Sequence, residues 1–285
     1  MATFTAAVVQ TTTGREIAPA LEMLKPMIFR ARDQGADFIA TPETATMVDR
    51  KRRDLLAKAR PESDHPAIPA FSAWAKETGA WLLAGSLTIK VDDEHVWNRS
   101  YLFDPRGQVA ARYDKIHMFD VDLAGGDSYR ESATVRSGAE AVLAPTPWGL
   151  LGMTVCYDLR FAALYRALAQ GGASIITVPS CFTAFTGKAH WHVLLRARAI
   201  ETGCFVIAPA QVGKHDDGRE TYGHSLIVAP WGEVLADGGE AVGVTACAID
   251  MDRVAQARGM VPSLKHDRPF RPPAPAVVAG AKASG

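Results

Sequence analysis

The 285-residue sequence has no excess of charge of either sign, since 31 basic residues balance 31 acidic ones. Proteins that bind nucleic acid or anionic membranes usually carry a basic excess or a basic patch. We therefore expect neither partner, and the basic run at residues 50–53 is typical of the solvated start of a helix. The sequence also lacks a run of about 18 apolar residues and a secretory leader pattern. No membrane span and a cytoplasmic location are expected.

Cysteine is scarce, and its spacing matches no common metal or redox motif. The four cysteines lie far apart in apolar segments, without a C-x-x-C pair. His190 and His192 would lie on different faces of a predicted helix, and there is no H-E-x-x-H motif, so we expect no zinc site. The sequence also lacks the G-x-S-x-G elbow of serine hydrolases and a glycine-rich phosphate loop. We expect neither a metal nor a cofactor.

The periodicity of the apolar residues predicts an α/β protein, in which helices pack on sheets. The predicted strands are residues 3–10, 38–40, 81–89, 100–103, 109–113, 141–145, 150–155, 174–178 and 204–210. The predicted helices begin near residue 17, near residue 71, at about 159 and at 189, and end before Gly35, before Gly79, at 170 and at 202. We expect one domain over residues 1–270. Residues 271–285, rich in proline, alanine and glycine, are expected to form a tail.

Two segments of the sequence share one turn pattern. Serine, proline, glycine and valine occur at the same offsets in residues 100–109 and 225–234. Proline presets such a turn, and glycine supplies a positive φ. The repeat has two interpretations: shared turn chemistry in two unrelated hairpins, or a fold with two pseudo-symmetric halves.

Cys156 is the strongest candidate for a nucleophile. A buried strand is predicted to end at this residue and to turn directly into a helix. The free amides and the dipole at a helix N-terminus favour a thiolate, and a sharp strand-to-helix turn presents the sulfur in a pocket. Cys181, Cys204 and Cys247 fit the role of small buried hydrophobic residues better.

Glu43 and Lys115 are the candidates to assist this cysteine. Glu43 follows the predicted strand at 38–40, where a buried carboxylate is costly unless it is paired or functional. Taken singly, Glu43 also fits a helix cap and Lys115 a surface charge. Both, however, would lie at ends of elements that neighbour Cys156. A cysteine–histidine dyad stays open as an alternative. The histidines that could form it are His117, His190 and His224.

These motifs resemble those of a known enzyme superfamily. Residues 42–43, 113–117 and 156–161 are similar, in the same order, to the Glu, Lys and Cys motifs of the nitrilase superfamily of carbon–nitrogen hydrolases. The resemblance covers about residues 3–270. It implies a four-layer αββα sandwich with two pseudo-symmetric halves. It also implies a homodimer or a higher homo-oligomer, because members of the superfamily pair through the sandwich.

The resemblance implies a role for each residue of the site. Cys156 attacks the amide carbon, and Glu43 takes the thiol proton and later activates water. Lys115 and the backbone N–H of Tyr157 hold the oxyanion. Glu131 resembles the second glutamate of the family, and is expected to position Lys115.

Two further residues are candidates for binding the substrate. Arg160 lies in the first turn of the predicted helix, where the helix dipole does not favour a cation. It is a candidate anchor for a substrate carboxylate through bidentate pairing, and a structural salt bridge is the alternative. His190, within residues 189–201, is the other candidate.

Residues 189–201, 221–225 and 230–233 are similar to the branch of the superfamily that hydrolyses deaminated glutathione. Omega-amidases, which act on keto-acid amides such as 2-oxoglutaramate, form the neighbouring branch. The resemblance implies an amidase that cleaves a small carboxylate-bearing amide through a cysteine thioester and releases ammonia. Nitrile hydrolysis and N-carbamoyl amide hydrolysis on the same three residues stay open as alternatives.

Overall fold

The computed structural model describes residues 3–123 and 128–272, which form two six-stranded sheets and two small hairpins, with helices on the outer faces of the sheets. The strands are β1 (Thr3–Gln10), β2 (Phe38–Ala40), β3 (Trp81–Lys90), β4 (Val96–Phe103), β5 (Val109–Asp114), β6 (Asp120–Asp122), β7 (Ser128–Arg130), β8 (Val142–Thr146), β9 (Gly149–Met153), β10 (Ala173–Thr177), β11 (Phe205–Ala208), β12 (Val212–Lys214), β13 (Glu220–Tyr222), β14 (Leu226–Val228), β15 (Val234–Asp237) and β16 (Gly243–Asp250). The helices are α1 (Ile17–Asp33), α2 (Arg52–Lys58), α3 (Ala67–Thr78), α4 (Ala162–Gln170), α5 (Ala184–Thr202) and α6 (Asp252–Met260).

The two large sheets repeat one pattern of strand directions. The first has the order β16-β1-β2-β3-β4-β5, and the second has the order β8-β9-β10-β11-β14-β15. In each sheet the second, third and fourth strands run parallel, and all other neighbours are antiparallel. The pseudo-symmetric halves expected from the resemblance are therefore present.

The repeated turn sequence lies at equivalent places in the two halves. The β4–β5 turn and the β14–β15 turn occupy the same position in their sheets. The Gly107 N–H donates to the carbonyl of Asp104 at 2.8 Å, and the Gly232 N–H donates to that of Ala229 at 2.8 Å. Both glycines have a positive φ, +80° and +92°, which explains why this residue type occurs in both turns. Of the two interpretations of the repeat, the structure supports pseudo-symmetry.

The four layers follow from the alternation of side chains along each strand. In β1, Ala6 and Val8 pack into the core shared with the second sheet, whereas Ala7 and Val9 pack against the helices of the first sheet. Helices α1 and α3 cover the first sheet, and α4 and α5 cover the second. Because both faces of both sheets are buried, the order of layers is αββα, as expected.

The structure shifts several predicted boundaries. Helix α5 begins at Ala184, five residues before the predicted start, and the Thr183 side chain accepts a hydrogen bond from the Thr186 N–H at its first turn. The predicted helix at 159–170 is shorter, because a five-residue 3-10 helix, Cys156–Arg160, precedes α4. No helix within the described residues is long and apolar enough to cross a membrane. Most of the predicted tail, residues 273–285, lies outside the described residues.

Candidate active site

The three residues of the predicted triad meet in one cavity. Glu43 follows β2, Lys115 follows β5 and Cys156 follows β9, so the site lies where the ends of strands from both sheets meet. The cavity has a volume of about 350 Å³, and Glu131 and Tyr157 also line it. All five residues that the resemblance assigns to catalysis therefore border one space.

Lys115 lies between two carboxylates. Its ammonium donates to Oε1 of Glu43 at 3.0 Å and to both carboxylate oxygens of Glu131, at 2.9 and 2.8 Å. Glu131 also accepts the backbone N–H of Phe119 at 2.7 Å. The lysine side chain is 2% exposed, so these pairs are shielded from solvent. Such a buried cation is held at one point, where it can act on a substrate.

Glu43 is held by groups from both sheets. Its Oε1 accepts from the side-chain amide of Asn98 at 2.9 Å, and its Oε2 accepts from the backbone N–H of Cys181 at 2.7 Å. Its backbone carbonyl accepts from the side chain of Gln211 at 3.0 Å. Because each carboxylate oxygen has at least one fixed donor, the orientation of the base is set before a substrate arrives.

Cys156 adopts a backbone conformation that is uncommon for a residue with a side chain. Its φ is +48°, and its N–H donates to the carbonyl of Pro179 at 2.9 Å. The residue is the first of the 3-10 helix, so the sharp turn expected after the strand is present. The left-handed conformation presents the sulfur to the cavity, beside the carboxylate of Glu43.

The electrostatics of the site indicate its protonation state at rest. Burial raises the pKa of Glu43. The charge of Lys115 and the hydrogen bonds to the carboxylate lower this pKa by a larger amount, so the net shift is downward. Burial lowers the pKa of Lys115, but the charges of Glu131 and Glu43 raise it well above its ordinary value. Burial raises the pKa of the Cys156 thiol, and the charge of Glu43 adds to this effect.

The resting site therefore holds a glutamate carboxylate, a lysine ammonium and a neutral thiol. The expectation that the helix N-terminus favours a thiolate at Cys156 is wrong for the free site. The 3-10 helix that begins there has only five residues, and burial together with Glu43 outweighs its effect. A neutral thiol beside a carboxylate calls for general-base activation during the attack.

A buried carboxylate joins the turn at Cys156 to the segment that carries Lys115. Asp158 is fully buried and accepts from the hydroxyl of Tyr113 at 2.7 Å and from the backbone N–H of Val155 at 2.8 Å. It also contacts His117, whose backbone N–H lies at 3.0 Å and whose Nδ1 lies at 2.7 Å. Asp158 thus spans the two sheets directly behind the site.

The remaining predicted residues lie apart from this centre. Arg160 and His190 are not among the residues that line the cavity; Nη1 and Nη2 of the arginine lie 3.3 Å from Nδ1 of the histidine. Both stay predictions as substrate-binding residues. The histidines proposed for a dyad contact groups other than Cys156: His117 contacts Asp158, and His224 contacts Asp237. This arrangement favours lysine over histidine chemistry.

Two of the polar cavity residues that sequence reasoning did not assign to the site contact its central groups. Asn98 lies in β4, which begins at Val96, ahead of the predicted start at residue 100. It is one of three consecutive polar residues in this strand, so the sequence did not single it out. Arg219 precedes β13 by one residue, in a polar turn that resembles an ordinary surface loop in sequence. Only the fold brings it to the cavity.

Comparison with known proteins agrees with this geometry. The sequence matches the Carbon-nitrogen hydrolase family over residues 5–259. It is 40% identical to a deaminated glutathione amidase from Synechocystis, over 93% of this chain and 98% of the relative, and 37% identical to the one from Homo sapiens, over 92% and 82%. The crystal structure of the Caenorhabditis elegans NitFhit protein superposes with a TM-score of 0.87 and 35% identity, over 93% of this chain and 65% of that one.

A further structural relative is informative about the cysteine. A glutamate-to-glutamine variant of an amidase from Nesterenkonia carries a covalently added acetamide moiety at its active-site cysteine. It is 25% identical to this chain, with a TM-score of 0.77, over 89% of this chain and 92% of that one. The fold and the family match define a carbon–nitrogen hydrolase. The chain belongs to the carbon–nitrogen hydrolase family, within the nitrilase superfamily.

Proposed function

We propose that this enzyme hydrolyses the amide of a small carboxylate-bearing substrate of the deaminated glutathione type through a thioester on Cys156. The observation that carries the proposal is the cluster of Glu43, Lys115 and Cys156 in one cavity, with the thiol beside the carboxylate. Relatives that carry the name deaminated glutathione amidase at up to 40% identity support the substrate class.

The geometry supports a specific order of proton transfers. Glu43 takes the thiol proton as the sulfur of Cys156 bonds to the amide carbon, and Lys115 with the Tyr157 N–H stabilises the oxyanion. The carbon–nitrogen bond then breaks, and the leaving nitrogen receives the proton from Glu43. Glu43 next deprotonates a water molecule that attacks the thioester carbon. The carbon–sulfur bond then breaks, the acyl group leaves as a carboxylic acid, and Glu43 returns the proton to the sulfur of Cys156. Because the lysine stays an ammonium, it stabilises charge without losing its own proton.

The leaving group depends on the amide that is bound. A primary amide, such as 2-oxoglutaramate, releases ammonia. Glutathione is γ-glutamylcysteinylglycine, so hydrolysis at the γ-carbonyl of its deaminated form releases cysteinylglycine instead. Release of ammonia, which the sequence analysis implied, therefore applies to the omega-amidase alternative, and release of a primary amine applies to the leading substrate.

A panel assay separates these reactions. Wild-type protein is incubated with deaminated glutathione, 2-oxoglutaramate, a nitrile and an N-carbamoyl amide, and both ammonia and cysteinylglycine are quantified. We expect the highest kcat/KM with deaminated glutathione and no turnover by Cys156→Ser. Mass spectrometry of quenched wild-type reactions should show an acyl adduct on Cys156. Turnover that survives in Cys156→Ser would refute the mechanism, and a preference for the nitrile would refute the substrate class.

A further inference from the structure

Arg219 is a buried cation in the cavity whose hydrogen-bonding capacity is barely used. A guanidinium has five N–H donors. Among the described residues, Arg219 makes one side-chain hydrogen bond, from Nη1 to the sulfur of Cys181 at 3.5 Å, and its buried Nε has no acceptor. The nearest carboxylate oxygen, on Asp217, lies 3.9 Å from Nη2, beyond hydrogen-bond distance. The side chain is only 19% exposed, so water does not easily replace the missing acceptors.

The cavity as a whole favours an anionic ligand. Among the described residues, five basic side chains line it, against three acidic ones, so this part of the lining carries an excess of positive charge. The basic residues are Arg50, Arg52, Lys115, Arg130 and Arg219, and the acidic residues are Glu43, Asp49 and Glu131. Such an excess attracts carboxylates and raises their local concentration.

The other four cations are all engaged elsewhere. Lys115 is bound to the two glutamates of the site. Nη2 of Arg130 donates to both carboxylate oxygens of Asp122, at 2.8 and 2.9 Å, and the arginine side chain is 54% exposed. Arg52 is exposed and donates to two backbone carbonyls. The fourth cation, Arg50, is exposed and lies over the ring of Tyr129.

The position of Arg219 relates it directly to the reacting groups. Its guanidinium contacts the side chain of Cys181, and the backbone N–H of that same residue donates to Oε2 of Glu43. Cys181 therefore contacts both the guanidinium of Arg219 and the carboxylate of Glu43, the proposed base. A ligand that reaches both Cys156 and Arg219 needs its carboxylate a short distance from the scissile carbonyl, as in the monoamide of a short dicarboxylic acid.

We propose that Arg219 binds a carboxylate of the substrate and thereby selects amides of dicarboxylic acids. This inference rests on the proposed amidase function and makes it more specific, because it assigns the anion-binding group to Arg219 in place of Arg160. A carboxylate can accept hydrogen bonds from two parallel N–H groups of the guanidinium. This pairing selects a negatively charged substrate and also fixes the direction of its acyl chain.

Matched substrates test this role by kinetics. Glutaramate and pentanamide have the same amide group and the same chain length. Glutaramate ends in a carboxylate, whereas pentanamide ends in a methyl group. Arg219→Met should raise KM for glutaramate by about 10- to 100-fold, because a charged hydrogen-bonded pair is lost. The kcat/KM for pentanamide should stay within about twofold. Arg219→Lys should recover part of the loss, and Arg106→Met, at an exposed turn outside the cavity, should change neither substrate.

A binding measurement tests the same role without turnover. In the Cys156→Ala background, calorimetry gives the dissociation constant of 2-oxoglutarate with and without Arg219→Met, and we expect an increase of about 10- to 100-fold. Equal constants, or no binding to either protein, would overturn the inference. An equal loss for glutaramate and pentanamide, or a selective loss in Arg160→Met alone, would also overturn it. If the wild type hydrolyses no amide at all, the proposed function fails, and the binding measurement still decides the role of Arg219.

Discussion

Lys115 is the residue on which the chemistry of the site most depends. Its ammonium neutralises part of the charge of two buried glutamates, and it is the one cation in direct contact with Glu43 among the described residues. Without it, the pKa of Glu43 would rise, since burial alone raises it. The same side chain thus keeps the base ionised and offers a donor to the oxyanion.

We therefore predict that Lys115→Ala lowers kcat by at least about 100-fold, the usual cost of removing one oxyanion donor. His190→Ala should retain most of the turnover, because His190 contacts Arg160 and does not line the cavity. Steady-state kinetics on one amide substrate measures both effects, and thermal unfolding shows whether each variant is folded. The reverse ranking in folded variants would favour the cysteine–histidine dyad.

At the residue scale, the sequence indicated those candidate residues that directly follow a predicted strand. Glu43, Lys115 and Cys156 follow the ends of strands, and a strand end is visible in an apolar pattern. Asn98 and Arg219 could not be predicted in the same way. Their roles depend on contacts with Glu43 and with Cys181, which lie 55 and 38 residues away in the sequence. Nothing in a polar strand residue or a polar turn signals such a partner.

At the scale of elements, the turn at Cys156 depends on the support of Asp158. This carboxylate joins the 3-10 helix to Tyr113 of β5 and to His117, and so sets the distance between the nucleophile and Lys115. The ring of His117 also stacks on the ring of Phe161, with 3.5 Å between the ring centroids. This contact further stabilises the turn at Cys156.

We predict that Asp158→Asn lowers both stability and turnover. An amide offers only one acceptor oxygen, and its NH2 group faces donors, so at least one buried donor loses its partner at a cost of about 1–3 kcal/mol. Urea unfolding measures this loss, and kcat on the same variant should fall while KM changes little. Tyr113→Phe removes one donor and leaves the carboxylate in place, so its effect should be smaller. An Asp158→Asn protein with wild-type stability and kcat would show that the support is dispensable.

The boundaries of elements were less predictable than their order. The early start of α5 depends on a threonine cap at residue 183, which lies directly after an apolar stretch. The missing first turn of α4 reflects the left-handed φ of Cys156, a conformation that local propensity disfavours and tertiary contacts impose. Strong periodicity therefore indicated which elements exist, whereas side-chain caps and long-range contacts decided where they begin.

At the scale of the molecule, the outer face of the second half has an apolar patch, defined here by Val193, Ile200 and Trp231. These side chains are 66%, 55% and 53% exposed, unusually high for large apolar residues. Arg196 of α5 donates to the carbonyl of Gly232 at 2.8 Å, and this hydrogen bond joins the helix to the β14–β15 turn, which carries Trp231. The predicted homodimer would cover it by pairing α5 with its counterpart in a second copy, so that helix layers meet.

We predict that Ile200→Asp converts a dimer of this chain into a monomer. Burial of a carboxylate in an apolar contact is costly, and a two-fold interface places the substitution on both sides, so the penalty counts twice. Light scattering coupled to size-exclusion chromatography gives the mass directly, and Val242→Asp, an exposed valine in the β15–β16 connection, is the control that should stay dimeric. A wild type that elutes as a monomer would refute the dimer itself. A dimeric Ile200→Asp protein would instead show that the two copies meet through another face, and the apolar patch on α5 would need a different partner.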